Sequence, residues 1–270
     1  MRAKKFGTQL TAAFVLATFV ACSPTRPVAS RAPAAAAPLR VSVPVDTPPY
    51  AFRRGAETVG LEVDFARELA AALGRRLEVS EASFPTLIAE LNAGRADIIM
   101  AGMTITPPRA VQVAFSDPYL RSGLMAVVRR EDLARYPDPS RVLRTTGPIG
   151  VVTGTTGERF VRERAATASA AVYPAARAAF DELRQRRVDA VVHDAPVGLW
   201  FVSTDEANLA AVLTLLDEEQ LAWGMRRDDE ALRAAVNATL ARWRADGTRD
   251  RILTRWLPYW PRLETGGSAP

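Results

Sequence analysis

The chain has 270 residues, 48% hydrophobic and 24% charged, ordinary proportions for a globular protein and unlike collagen-like, disordered or disulfide-scaffold chains. The formal charge of +5 overstates its basic character, because Arg2, Lys4 and Lys5 open the chain and, without the first 21 residues, 32 basic face 30 acidic residues. Those charges are interspersed without the basic stripe of a nucleic-acid binder, and one cysteine (Cys22) with one histidine (His193) excludes an intramolecular disulfide and zinc sites built from several Cys or His.

Residues 1–21 read as a signal segment. A positive start precedes an apolar run from Leu10 to Val20 that is too short to span a bilayer, and small Ala21 stands before Cys22. Phe19-Val20-Ala21-Cys22 resembles a bacterial lipobox, with Phe19 where that pattern prefers Leu. The resemblance implies lipid on Cys22 and a membrane anchor there. Residues 22–38 are rich in Pro and Ala and read as a tether.

The folded part begins at Leu39. A strand over 39–45 leads to an amphipathic helix over 63–73, with Val63, Phe65, Ala66, Leu69, Ala70 and Leu73 on one face. A strand over 76–80, a helix over 85–94 ended by Gly94, and an apolar strand over 96–101 follow. Strands are expected at 123–130 and 147–154, helices at 157–165 and 175–186, then strands at 188–193 and 221–227. Asp228 is expected to cap a long helix that stops at Asp246-Gly247. Residues 263–270 read as a disordered tail. The alternation predicts an α/β fold with mainly parallel sheets.

One repeat stands out. Glu90-Leu91, Arg95 and Asp97 recur 92 residues later as Glu182-Leu183, Arg187 and Asp189, each set ahead of an apolar strand. Two topologically similar lobes explain it. The same offset pairs Gly102 with Asp194, each just past its strand, where open α/β sheets bind ligands. Two such edges facing each other would make a cleft.

Residues with binding chemistry cluster at those edges. Gly102 permits close backbone approach. Thr104 and Thr106 offer hydroxyls, and Pro107-Pro108 stiffens the turn before Arg109. That guanidinium suits a carboxylate; the alternative is a surface arginine paired with Asp117. Gly154-Thr155-Thr156-Gly157 lies between a strand and a helix, either as an anion-holding turn or as a helix cap with Glu158 in the first turn. Asp194 could hold an ammonium group. His193, its neighbour on a strand, points to the opposite face, so the two make no dyad. Asp46, Tyr50, Phe52 and Phe84 sit in loops, as core or as pocket walls. Trp223, Trp243, Trp256 and Trp260 read as packing residues.

These motifs in order resemble the family 3 extracellular solute-binding proteins. LRVSVPVDTPPYAF, GLEVDFARELAAALG, IIMAGMTITPPRAVQVAFSDPY, IGVVTGTTGE, RRVDAVVHDAPV and RADGTRDRI carry the resemblance from about Leu39 to Trp256. It implies a two-lobed periplasmic-binding-protein fold (type II), each lobe a mainly parallel sheet flanked by helices, joined by a two-segment hinge. Lobe 1 would be 39–121 with a return segment at 217–262; lobe 2 would be 122–216, with crossings near 121–123 and 214–219. By resemblance, Arg109 binds a ligand α-carboxylate, assisted by Thr104, the Gly102 backbone and the Thr155-Thr156 turn, and Asp194 binds the α-ammonium. Many members carry an aromatic where Thr47 stands, so Tyr50, Phe52 and Phe84 must stack on the ligand here.

The expected function is capture of a polar α-amino acid in an inter-lobe cleft and delivery to an ABC permease. No cofactor, metal, catalytic residue or nucleic acid is expected. The protein would be a monomer on the periplasmic or extracellular face, held to the membrane through Cys22. The alternatives are a ligand-sensing module and a dehydratase of the same fold acting on prephenate- or arogenate-type acids, with Glu62 and Glu158 as its candidate acids.

Overall fold

The computed structural model describes residues 37–259. The signal segment, Cys22, most of the tether, Trp260 and the tail at 263–270 lie outside the described residues.

The chain opens on β1 (Leu39–Val43), then β2 (Asp46–Thr47), β3 (Ala51–Arg54) and β4 (Glu57–Val59), which form a small antiparallel sheet. Next come α1 (Leu61–Ala72), β5 (Leu77–Glu81), α2 (Leu87–Asn92), β6 (Ile98–Ile99), α3 (Pro107–Ala110) and β7 (Ala114–Phe115). The long β8 (Leu120–Arg129) is followed by α4 (Pro139–Leu143), β9 (Ile149–Val152), α5 (Thr156–Arg164), β10 (Ala170–Tyr173) and α6 (Ala176–Arg184). The rest is β11 (Ala190–Asp194), α7 (Ala195–Ser203), β12 (Leu209–Leu221), β13 (Gly224–Met225), α8 (Glu230–Asp246) and α9 (Thr248–Trp256).

Two five-stranded sheets result, ordered β5-β1-β6-β13-β7 and β10-β9-β11-β8-β12. Each has three parallel strands from successive β-α-β units, then two strands joined by antiparallel pairs. The sheets are therefore mixed rather than mainly parallel, because the fourth strand of each comes from a segment that crosses between them. The internal repeat is a true structural repeat. Asp97 N–H donates to Arg40 O at 2.8 Å, and Asp189 N–H to Pro148 O at 2.9 Å. Each aspartate side chain caps the entry to the neighbouring strand, through Arg40 N–H at 3.0 Å and Gly147 N–H at 3.1 Å.

Aromatic packing fixes the first sheet. Phe65 of α1 meets Tyr119 and Trp223 with ring centroids 5.4 Å apart, and Trp243 at 5.9 Å. Trp223, Trp243 and Trp256 are buried, as the packing reading expects. In the second sheet, Phe180 of α6 stacks on Phe201 of α7 at 4.0 Å.

β8 and β12 pair from Leu120↔Leu221 to Leu209↔Arg129, with an irregularity between Val212 and Asp217. Their shared end is tied to the first sheet: Thr104 bridges Leu221, Ile105 N–H donates to Gln220 O at 2.9 Å, and Ala222 N–H to Met103 O at 3.0 Å. Gly123 is needed here, since a Cβ would lie 2.1 Å from Asp217 O.

Several boundaries differ from the sequence reading. The expected strand at 221–227 is split, with β12 ending at Leu221 and only Gly224–Met225 continuing. The strand at 96–101 shrinks to Ile98–Ile99. Asp229, not Asp228, caps α8, its side chain accepting from Leu232 N–H at 3.0 Å. Gly247 ends that helix in the left-handed region (φ 77°), as its stop signal implies.

Candidate functional site

Gly102 lies just past β6 with φ +61°, a conformation that costs other residues about 1–2 kcal/mol. A Cβ there would also stand 2.4 Å from the Tyr50 ring. The Gly102 N–H is anchored from below by Glu62 at 2.7 Å. Glu62 also accepts from the Trp223 indole at 2.9 Å and the Tyr119 hydroxyl at 2.5 Å. Burial pushes Glu62 up to about 7 against the pull of those three donors.

Thr106 and Pro107-Pro108 start the short α3 and aim Arg109 back across the turn. Its guanidinium donates to Thr104 O at 2.9 Å and to Gly154 O at 3.1 Å, and lies over the Phe84 ring at 5.2 Å from the centroid. The Gly154 bond links the first-sheet turn to the second. The alternative pairing with Asp117 is not made: Asp117 bonds Asn237.

On the facing edge, Thr155 is the N-cap of α5. Its oxygen accepts from Glu158 N–H at 3.2 Å, while the Glu158 carboxylate accepts from Gly154 N–H at 2.8 Å. This is the reciprocal pattern of a capping box, shifted by one donor. The turn thus serves as a cap, and the Thr155 hydroxyl is already engaged. Thr156 is buried at the first position of α5.

Asp194 ends β11 and is buried. Burial raises its carboxyl above the usual range, while the Arg109 charge and the Tyr50 hydroxyl pull it down. The Tyr50 hydroxyl lies close to Asp194 yet has no hydrogen bond of good geometry. His193 is buried and pushed down to about 4, hence neutral, its Nδ1 accepting from Asp194 N–H at 2.8 Å. That bond is to the backbone, so no catalytic dyad forms.

Arg109 stands between this buried cluster and an open cavity of about 530 Å³ lined by Phe84, Pro85, Met103, Thr155, Thr156 and Arg159, a size in the range of small-molecule sites. Phe52 and Asp46 lie elsewhere. They line a separate groove with Arg177 and Trp200, and Phe52 packs on Trp200 and Trp256 at 5.2 and 5.9 Å. Tyr50, Phe52 and Phe84 therefore do not wall one pocket: β2–β3 turns Tyr50 inward and Phe52 outward.

The structure adds a residue that the sequence reading missed. Glu219 of β12 is buried at 7% exposure beside Thr104, Thr156, Arg109 and Asp194. Burial first, then the Asp194 charge, raises its carboxyl, against the pull of Thr156, Thr104 and Arg109. Strand parity was the available signal: Glu219 shares a face with buried Leu221, inside a run, Asp217-Glu218-Glu219-Gln220, that otherwise reads as a solvated edge.

A cation from the first sheet edge thus lies within electrostatic reach of two carboxylates from the second sheet. Residues 39–259 match the model of the bacterial extracellular solute-binding proteins, family 3. The chain belongs to that family. It is 26% identical over 229 residues to ABC transporter arginine-binding protein 1 of Escherichia coli K12, covering 83% of this chain and 92% of that one. It is 30% identical over 227 residues to cyclohexadienyl dehydratase of Pseudomonas aeruginosa, covering 83% and 84%. Among solved structures, an ancestral arginine-binding protein bound to arginine superposes with a TM-score of 0.76 at 32% identity, covering 81% of this chain and 97% of that one. This family member has the two-lobed α/β architecture of those neighbours. The two acids a dehydratase reading would use, Glu62 and Glu158, are both engaged in internal hydrogen bonds. Among the described residues no helix is long and apolar enough to cross a membrane.

Proposed function

We propose that this chain captures an α-amino acid between its lobes and hands it to an ABC permease. Lobe 1 is 39–121 with 217–262, lobe 2 is 122–216, and β8 and β12 carry the hinge through 121–123 and 214–219. The protein works as a monomer. What supports the reading most is the placement of Arg109, from one sheet edge, within electrostatic reach of buried Asp194 on the other. A zwitterion offers a carboxylate to the first and an ammonium to the second, so the closed state gains both partners at once. Thr104, Thr156 and the Gly102 backbone complete the rim. Relatives whose names specify arginine binding support an amino-acid ligand.

Arg109→Ala tests this. The variant keeps its fold by thermal unfolding but loses a buried charge-assisted contact, about 2–5 kcal/mol, or more than about tenfold in affinity for the amino acid bound by wild type. Unaltered affinity by calorimetry would remove Arg109 from the site.

We place the protein in the cell envelope, on the periplasmic or extracellular face, anchored to the membrane by lipid on Cys22. The motif Phe19-Val20-Ala21-Cys22 after an apolar run supports this. Cys22→Ser moves the protein from the membrane to the soluble fraction; equal membrane association of the variant contradicts the anchor.

A further inference from the structure

The buried groups beside Arg109 hold one carboxylate more than a zwitterion can match. Arg109 brings one positive charge; Asp194 and Glu219 bring two carboxylates. An α-amino acid gives its carboxylate to Arg109 and its ammonium to Asp194, and Glu219 is left over. A buried carboxylate without a cationic partner is unfavourable. Either a proton or a second cation resolves it.

Among the described residues four buried side-chain oxygens lack a hydrogen-bond partner, and Tyr50 Oη, Ser122 Oγ and Glu219 Oε2 are three of them. Glu219 and Ser122 sit directly opposite each other in the β8–β12 pair, so they share one face. The Asp194 and Glu219 charges also act on the Tyr50 hydroxyl. An unpartnered carboxylate oxygen and two hydroxyl oxygens, coming from three elements, can each accept from a group that brings several N–H bonds. We propose that Glu219 is a specificity-determining residue of this cleft, selecting α-amino acids whose side chain carries an amine or a guanidinium. The proposal rests on the amino-acid reading above.

The groups facing Glu219 are Asp194 from β11, Arg109 from α3, Thr104 after β6, Thr156 from α5 and Tyr50 before β3; Arg159 of α5 acts on Arg109. With a neutral ligand the surplus acid keeps a proton. A second cation displaces it. Binding of a basic amino acid therefore releases more protons than binding of a neutral one.

Calorimetry at pH 7 in two buffers of different ionisation enthalpy tests this with L-arginine, L-lysine and L-glutamine, on wild type and Glu219→Gln. Wild type is expected to bind a basic ligand about tenfold or more tighter than L-glutamine and to release more protons with it. In Glu219→Gln that affinity ratio falls about tenfold or more, and the difference in protons disappears. A ratio that stays within about threefold of wild type in the folded variant overturns the proposal. So does equal proton release for basic and neutral ligands in wild type, a comparison that needs no variant. Should wild type bind L-glutamine as tightly as the basic ligands, this inference fails while the amino-acid reading stands. Should it bind no amino acid, both fail.

Discussion

Arg186 is the only non-glycine among the described residues with positive φ (59°), and its counterpart one repeat earlier is Gly94 (φ 73°). Both close a helix in the same way. Gly94 N–H donates to Leu91 O and Arg95 N–H to Glu90 O; Arg186 N–H donates to Leu183 O and Arg187 N–H to Glu182 O. This is a Schellman close, in which the left-handed position favours glycine. An ordinary residue there loses about 1–2 kcal/mol, of which glycine's greater unfolded-state entropy takes back about 0.5–1. The ion pair of Arg186 with Glu131 is exposed and contributes little. Arg186→Gly is therefore expected to stabilise the protein by roughly 0.5–1 kcal/mol. Denaturant unfolding checks it: the midpoint rises with an unchanged slope, and a lowered midpoint contradicts the account. At this scale the motif residues Gly102, Thr104, Arg109 and Asp194 were legible, because strand ends and turn chemistry mark them. Glu219 was not, because its burial comes from pairing with a strand about a hundred residues away.

Elements were legible where their pattern is local. α1 has one apolar face and α8 a stop signal, and both stand within a residue or two of their expected limits. α7 went unseen. Its sequence, APVGLWFVS, is apolar on nearly every side, so no helical period shows. Residues 46–52, which open the small β2–β3–β4 sheet, read as a loop, since prolines interrupt them and the strands are two to four residues long. The length of β12 was also hidden: its Leu213–Leu216 stretch is unpaired and breaks the alternation a strand should show. The antiparallel strands of each sheet are not legible locally, because they come from crossing segments, which no local pattern reports.

At the scale of the whole molecule, the repeat makes two similar sheets, and the β8–β12 pair runs from one to the other. The residues argued to bind ligand stand at the ends of β6 and β11, equivalent places in the two halves. On the proposed reading, an α-amino acid closes the lobes because its carboxylate suits Arg109 and its ammonium suits Asp194. The most direct measurement compares, by calorimetry, the best-binding member of the twenty standard amino acids with its deaminated acid. The analogue keeps the Arg109 contact but leaves Asp194 buried and unpaired, a loss of about 3 kcal/mol, or roughly a hundredfold in affinity. Asp194→Asn should shrink that difference. If the deaminated acid binds wild type as tightly as the amino acid does, Asp194 holds no ammonium, and the α-amino-acid assignment is wrong.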